Sequence, residues 1–376
     1  MARRIYLDHN ARAPLHPAAR DAMACAMGSL DGNPSSQHAE GQRARASVEH
    51  ARESVGRLLG ARAKDVAFTS GATESIHLAL HGALRATSRK RVLTFGTEHH
   101  AVLDEVKSLG SSGTLVGVHP DGTPDVEALD RALSDDVAVL LMMAANNETG
   151  VLTDTAPLVA LARARGVFTV VDAAQVAGRM PISVDTCGAD AVAISACKFG
   201  GPPGVGALWL HPSVTPGRWQ PVHRGGAQER GRRPGTENLV GIAGLGAAAE
   251  VADVAQFSLL RALRDGLEAG LLRDHPGAVV HGASSPRLAN TTFAAFPGVD
   301  VQLLLMLLDQ DGVAASSGSA CVSGAVKASH VLTAMGVAPS LAACSVRFSL
   351  GPQTTSDDVA EALRVLQRSV PRARVG

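Results

Sequence analysis

Two stretches in the middle of the chain pair a carboxylate with an amine at a spacing that suits chemistry on a carbonyl. Val167 to Val171 and Ala191 to Ile194 are apolar, partly β-branched and bounded by turn residues, so they read as short buried strands. The first runs into Asp172, with Gln175 three residues on; the second runs into Ser195, then Lys198 and a glycine-rich turn. Open α/β sheets bind ligands outside the carboxyl ends of their strands. A carboxylate and an amine held together there suit pyridoxal phosphate. The carboxylate keeps the pyridine nitrogen protonated, so that the ring draws electrons, and the lysine forms a Schiff base with the aldehyde.

Lysine usage narrows the choice. The chain has five lysines: Lys64, Lys90, Lys107, Lys198 and Lys327. Lys64 and Lys90 sit in charged turns, Lys107 on a polar helical stretch, and Lys327 after a segment of small residues. Only Lys198 combines a strand end, a neighbouring hydroxyl and a following Gly-Gly that lets a cofactor approach. The competing reading is a lysine whose stem lies along a sheet edge with its amine in water.

The elements that must position these residues alternate. DVAFT, VLTF, TLVGV and VAVLLMMA read as strands, with helices over about Gln42 to Leu59 and over SGATESIHLALHGAL, EHHAVLDEVKSL and DVEALDRAL. Gly60 is a C-terminal stop for the helix ending at Leu59. This βαβα rhythm predicts an α/β fold with a mostly parallel sheet covered by helices. The strand ends carry polar groups: Glu98 and His99 after one, Asn146, Asn147 and Glu148 after another. Ser70-Gly71-Ala72-Thr73 opens a helix and offers free backbone N–H groups, a hydroxyl and the positive end of the dipole to an anion. Singly, each is as well explained by helix capping or a turn; His99, Asn147, Asp172, Gln175, Ser195 and Lys198 on one edge of one sheet are not.

At 376 residues the chain suits one large and one smaller domain, and 45% apolar residues make it globular. Lys+Arg and Asp+Glu are both 35. This balance provides no basic field to recruit nucleic acid or an acidic membrane. No apolar run approaches spanning length, and the first ten residues do not read as a signal peptide. Five cysteines, odd in number and without a CxxC pair, point to the reducing cytoplasm.

The expected division is an N-terminal segment, 1–14, packing with the small domain, a large domain over 15–255, and a small C-terminal α/β domain over 256–376. The small domain reads as βαβ-like: NTTFAAF, a helix from Val301 to Leu308, the strand VAAS, a small-residue loop, the strand SVRFSL and a closing helix from Asp357. Before it, HRGGAQERGRRPGTEN is a long basic loop whose arginines either hold phosphate or form a solvated rim; Thr236 adds a hydroxyl. SSGSACVSG cannot pack a core, yet it carries Cys321; a surface loop with an incidental thiol is the plain alternative. Arg347 lies inside an apolar strand and should be paired, a substrate carboxylate being a natural partner.

Taken together, NPSSQHAEG, FTSGATES, TEHHAVLD, NNETG, VDAAQ, SACKFGGPPGVGAL, GGAQERGRRPGTEN, SSGSAC and SVRFSLG resemble the cysteine desulfurases of the NifS/IscS type, and the likeness runs nearly end to end. These are fold-type-I pyridoxal-phosphate enzymes of the class V aminotransferase family, and SSGSAC matches the subgroup with a long catalytic loop. The resemblance implies that Lys198 forms the Schiff base and Asp172 partners the pyridine nitrogen. It implies a large domain with a seven-stranded sheet, and puts His99 over the ring, where it would help Lys198 remove the α-proton, Asn147 and Gln175 near the phenolic oxygen, and Ala72, Thr73 and Ser195 on the phosphate. Thr236 would reach the phosphate of a second subunit, implying a homodimer. Arg347 would bind the carboxylate of L-cysteine, with Asn147 also at the substrate. Cys321 would take the sulfur as a persulfide and pass it to an acceptor protein, for iron–sulfur assembly, tRNA thiolation or DNA phosphorothioation.

Three positions depart from the family pattern. Cys197 stands where the family usually has histidine, Pro203 replaces a common lysine, and Ala11-Arg12-Ala13-Pro14 replaces ATTP. The alternatives of the same fold are a selenocysteine lyase and a small-amino-acid aminotransferase, neither of which needs a tethered cysteine. A non-catalytic scaffold is the alternative of another class, and such a protein would be colourless.

Overall fold

The computed structural model describes residues 4–214, 217–318 and 328–375. Its strands are β1 (Ile5–Tyr6), β2 (Val66–Thr69), β3 (Arg91–Phe95), β4 (Gly113–Val116), β5 (Val137–Met143), β6 (Phe168–Asp172), β7 (Ala191–Ser195), β8 (Gly206–Leu210), β9 (Val279–Val280), β10 (Thr291–Ala295), β11 (Val313–Ala314) and β12 (Ser345–Ser349). Seven of them form the main sheet in the order β2-β8-β7-β6-β5-β3-β4. Only β8 runs against its neighbours, so the expected mostly parallel sheet is present. All seven residues of β5 are buried, as a strand covered by helices on both faces requires.

Because β2, β3, β5, β6 and β7 point the same way, their carboxyl ends open on one edge. The turns after them carry Gly71, His99, Asn147, Gln175 and Lys198 respectively. Two apolar layers support this edge. Val55, Phe68, Leu140, Ile194 and Trp209 belong to one, and Ile76, Val92, Val139, Phe168 and Leu208 to the other.

The helix Ala39–Leu59 ends where expected, with Gly60 in the left-handed region at φ 60°. It begins earlier than the apolar periodicity suggests, because His38 caps it by accepting the Gly41 N–H through Nδ1. Histidine is not among the usual capping residues, so that start is not legible in composition.

The C-terminal part departs from the βαβ-like reading. β10 lies antiparallel between β12 and β9, while β11 pairs in parallel with β1, from the other end of the chain. The helix Val301–Gln310 therefore does not cross between two parallel strands of one sheet. A two-residue strand carries no periodicity of its own, and its partner lies some three hundred residues away. Ile5 and Leu7 are buried with Phe257, Phe296 and Phe348. Among the described residues, no single helix is long and apolar enough to cross a membrane.

Candidate active site

A cavity of about 450 Å3 opens at the common strand edge, and Ala72, Thr73, His99, Asn147, Asp172, Gln175, Ser195, Lys198 and Arg347 all line it. Two expected site residues remain. Thr236 is exposed and lies outside the cavity. Cys321 lies outside the described residues; Ser316, Gly318 and His330, on either side of that segment, line the cavity.

Lys198 sits at the end of the tight turn Ala196–Lys198 that follows β7. Its Nζ donates to the carbonyl oxygens of Ala11 at 2.7 Å and Asn10 at 3.1 Å. Burial lowers its pKa, and the Arg179 and Arg347 guanidinium groups push the same way against Cys197 and Asp172. A lysine so placed loses its proton more readily and becomes a better nucleophile and base.

Asp172 ends β6 with its side chain buried, Oδ1 accepting the Ala174 N–H at 2.9 Å. Burial raises its pKa, opposed by that N–H and by the charges of His99 and Lys198. A cationic ring nitrogen in the cavity would add to the opposition and keep the carboxylate ionised. His99 caps the helix His100–Ser108, its Nδ1 accepting the Ala101 N–H at 3.0 Å. With Nδ1 used as an acceptor, the neutral ring carries its proton on Nε2. Burial lowers the His99 pKa, Lys198 helps, and Asp172 resists.

At the other side of the cavity the helix Ala72–Arg85 begins at Gly71 without a side-chain cap, so its first N–H groups remain available to an anion. A Cβ on Gly71 would lie 3.9 Å from Ser195 Oγ, which places that hydroxyl beside the helix start. Cys197 Sγ is 3.4 Å from the same oxygen. These groups can hold a phosphate in the cavity that Lys198 and Asp172 also line.

Asn10 and Arg179 were not singled out in the sequence, and Glu98 was noted only as a polar residue at a strand end. Asn10 is a hub. Its carbonyl accepts from Lys198 and Gln175, its Nδ2 donates to the Asn147 carbonyl, and its Oδ1 accepts from Arg179. Arg179 is buried, donates to the Lys198 and His9 carbonyls, and has its pKa lowered to about 9 by burial and Arg347. Its position four residues after Gln175 was the one available signal. Glu98 is buried, with Oε1 accepting the Met143 N–H and Oε2 without a hydrogen-bond partner among the described residues. Burial, reinforced by Asp172, pushes its carboxyl well above the usual range.

Arg347 was expected to be paired, a substrate carboxylate being the natural partner; in the structure it pairs with groups of the protein itself. Its Nη2 donates to Asp8 Oδ1 at 2.6 Å and its Nη1 to the Asn147 carbonyl at 3.0 Å. The Asn147 Oδ1 and Arg347 Nε are buried and have no hydrogen-bond partner among the described residues.

Residues 5–362 match the aminotransferase class-V family. The chain belongs to that family. Across 98% of its length it is 42% identical to an IscS-like cysteine desulfurase of Mycobacterium tuberculosis, covering 97% of that protein. It is 41% identical, again over 98% of its length, to a cysteine desulfurase of Enterobacter agglomerans, covering 93% of it. A solved structure of a NifS-like protein superposes with a TM-score of 0.88 at 32% identity, covering 97% of this chain and 98% of the other. Within the class-V family the chain is thus of the NifS/IscS cysteine desulfurase type, as its motifs suggested.

Proposed function

We propose that the protein binds pyridoxal phosphate and removes sulfur from L-cysteine, leaving alanine and a persulfide on Cys321. What carries the reading is the convergence of nine separately chosen residues on one cavity, with a buried carboxylate, a lysine of lowered pKa and an uncapped helix start among them. The first turn at Ala72 and Thr73, with Ser195, would hold the phosphate, and Asp172 would face the ring nitrogen. When bound, the cofactor supplies a ring that stabilises negative charge at the substrate α-carbon.

The remaining work falls to the chain's own side chains. Lys198, with its lowered pKa, takes the α-proton and holds it for return. His99, its Nδ1 occupied by Ala101, offers an Nε2–H donor to the cavity, which leaves Lys198 as the base. Arg347 holds the substrate carboxylate through its Nε–H, which has no partner among the described residues, and Asn147 donates to it through its side-chain NH2. The Cys321 thiolate attacks the substrate sulfur; the new S–S bond forms as the Cβ–S bond breaks. The electron pair stays on Cβ, which takes a proton to give alanine. Thr236, exposed outside its own cavity, supports a homodimer in which it completes the second copy's site. The persulfide then passes to an acceptor protein.

The test is alanine release from L-cysteine by the purified holoenzyme. The proposal expects release by the wild type and none above background by Lys198→Ala. Equal release by both would overturn it.

A further inference from the structure

Away from the cavity, three side chains converge that neither the family motifs nor the proposed reaction uses. His77 and His81 are four residues apart on the helix Ala72–Arg85 and so share one face. Opposite them, Glu105 projects from the helix His100–Ser108. His77 Nδ1 lies 2.7 Å from Glu105 Oε1, and His81 Nε2 lies 2.9 Å from Oε2. The two imidazole rings are 4.3 Å apart between centroids, and one ligand atom from each of the three residues lies within 4.8 Å of the others. The side chains are 39%, 28% and 25% exposed, so the cluster is neither free in water nor sealed from it.

We propose that His77, His81 and Glu105 form a binding site for a divalent first-row transition-metal ion, with Zn2+ the best match to the donors. Two imidazoles and one carboxylate are the donor set of three-ligand zinc sites, which keep a fourth position for water. With metal–ligand bonds of about 2.0–2.2 Å, tetrahedral donors stand roughly 3.3 Å apart. The two short nitrogen–oxygen distances would open by about half an ångström and the wider separations among the three ligand atoms, all within 4.8 Å, would close toward the same value, a rotamer adjustment at partly exposed side chains. A carboxylate accepts only, so in the metal-free form each facing histidine nitrogen carries a proton. Binding moves that proton to the other nitrogen of the same neutral ring and releases the lone pair to the metal, so the ion gains three ligands without burying a new charge alone.

The surroundings favour a cation. An open groove lined by Thr73, His99, Asp104 and Glu105 runs between the cavity edge and the cluster, and among the described residues no lysine or arginine lines it. Both helices that would be bridged begin at the cavity: one offers its first N–H groups at Ala72 and Thr73, the other is capped by His99. An ion at this position ties together two walls of the site without touching its contents.

The deciding experiment titrates the holoenzyme with Co2+ as a spectroscopic stand-in and then dialyses it against Zn2+ with the bound metal counted. The proposal expects about one ion per chain, visible Co2+ d–d bands, and no thiolate-to-metal charge-transfer band, since no cysteine is involved. His77→Ala/His81→Ala should bind at least about 100-fold more weakly, because losing ligands exceeds the 10–100-fold cost of losing a ligand's supporting partner. Zn2+ should raise the melting temperature of the wild type and not of the double variant. Should the double variant fail to fold, Glu105→Gln, which keeps the side chain's size, must show the same weakening. No Co2+ uptake, equal uptake by wild type and variants, or a thiolate band would each overturn the site and leave a histidine–carboxylate bridge between two helices.

Discussion

Arg347 Nη2 stands 2.6 Å from Asp8 Oδ1, so the N-terminal segment supplies the counter-ion of an arginine in the C-terminal sheet. The guanidinium is buried while Asp8 is partly open to solvent. A substrate carboxylate approaching Arg347 bidentately must therefore displace Asp8 or share the cation with it. Asp8→Asn keeps an acceptor and removes the competing charge. It should lower KM for cysteine by about fivefold, the equivalent of roughly 1 kcal/mol for a partly exposed pair, with kcat little changed. A raised KM in steady-state kinetics would instead make Asp8 necessary for holding Arg347 in place.

Cys197 replaces the histidine usual in this family, and its Sγ lies 3.4 Å from Ser195 Oγ at the phosphate end of the cavity. A thiol is a poor donor, whereas a histidine offers a hydrogen bond to a charged phosphate worth about 1.5–3 kcal/mol. Cys197→His should slow cofactor loss under dialysis by about one to two orders of magnitude. Equal rates of loss from wild type and variant would show that the helix start and other donors already satisfy the phosphate.

Glu98 gives a pH signature. Its carboxyl is raised in the folded state by burial and by Asp172, so the folded protein keeps a proton that the unfolded chain releases above its ordinary 4.5. The folded state binds more protons there, and stability falls as pH rises from about 4.5 toward the elevated folded value. Glu98→Gln cannot titrate. Urea unfolding at a series of pH values should show the variant gaining on the wild type by up to about 1.4 kcal/mol per pH unit across that window. Parallel curves would mean that Glu98 is ionised in the folded protein.

Much of the site was legible because its parts are local. A strand end followed by Asp172, or by Ser195 and Lys198, declares itself through an apolar run meeting a polar residue. Asp8, Asn10 and Arg179 were not legible, although they hold Lys198, Gln175 and Arg347. Most of their partners lie more than a hundred residues away or are backbone carbonyls, which leave no trace in spacing; the exception is Gln175, four residues before Arg179 and bonded to it. The pairing of β1 with β11 escaped for the same reason, each strand being two residues long. The half of Arg347's environment that sequence reasoning predicted, a need for a partner, was right in kind; the partner in the structure is Asp8.

The central claim is that sulfur leaves cysteine in the cavity around Lys198 and arrives on Cys321. Trapping the enzyme with a thiol-alkylating reagent after exposure to L-cysteine, followed by peptide mass spectrometry, reads this directly. The account predicts one extra sulfur on the peptide bearing Cys321 in the wild type, matched by one alanine released. It predicts none in Lys198→Ala, and none in Cys321→Ser although that variant still binds cysteine. Extra sulfur mapped to Cys25, Cys187, Cys197 or Cys344, or a persulfide formed by Lys198→Ala, would contradict it.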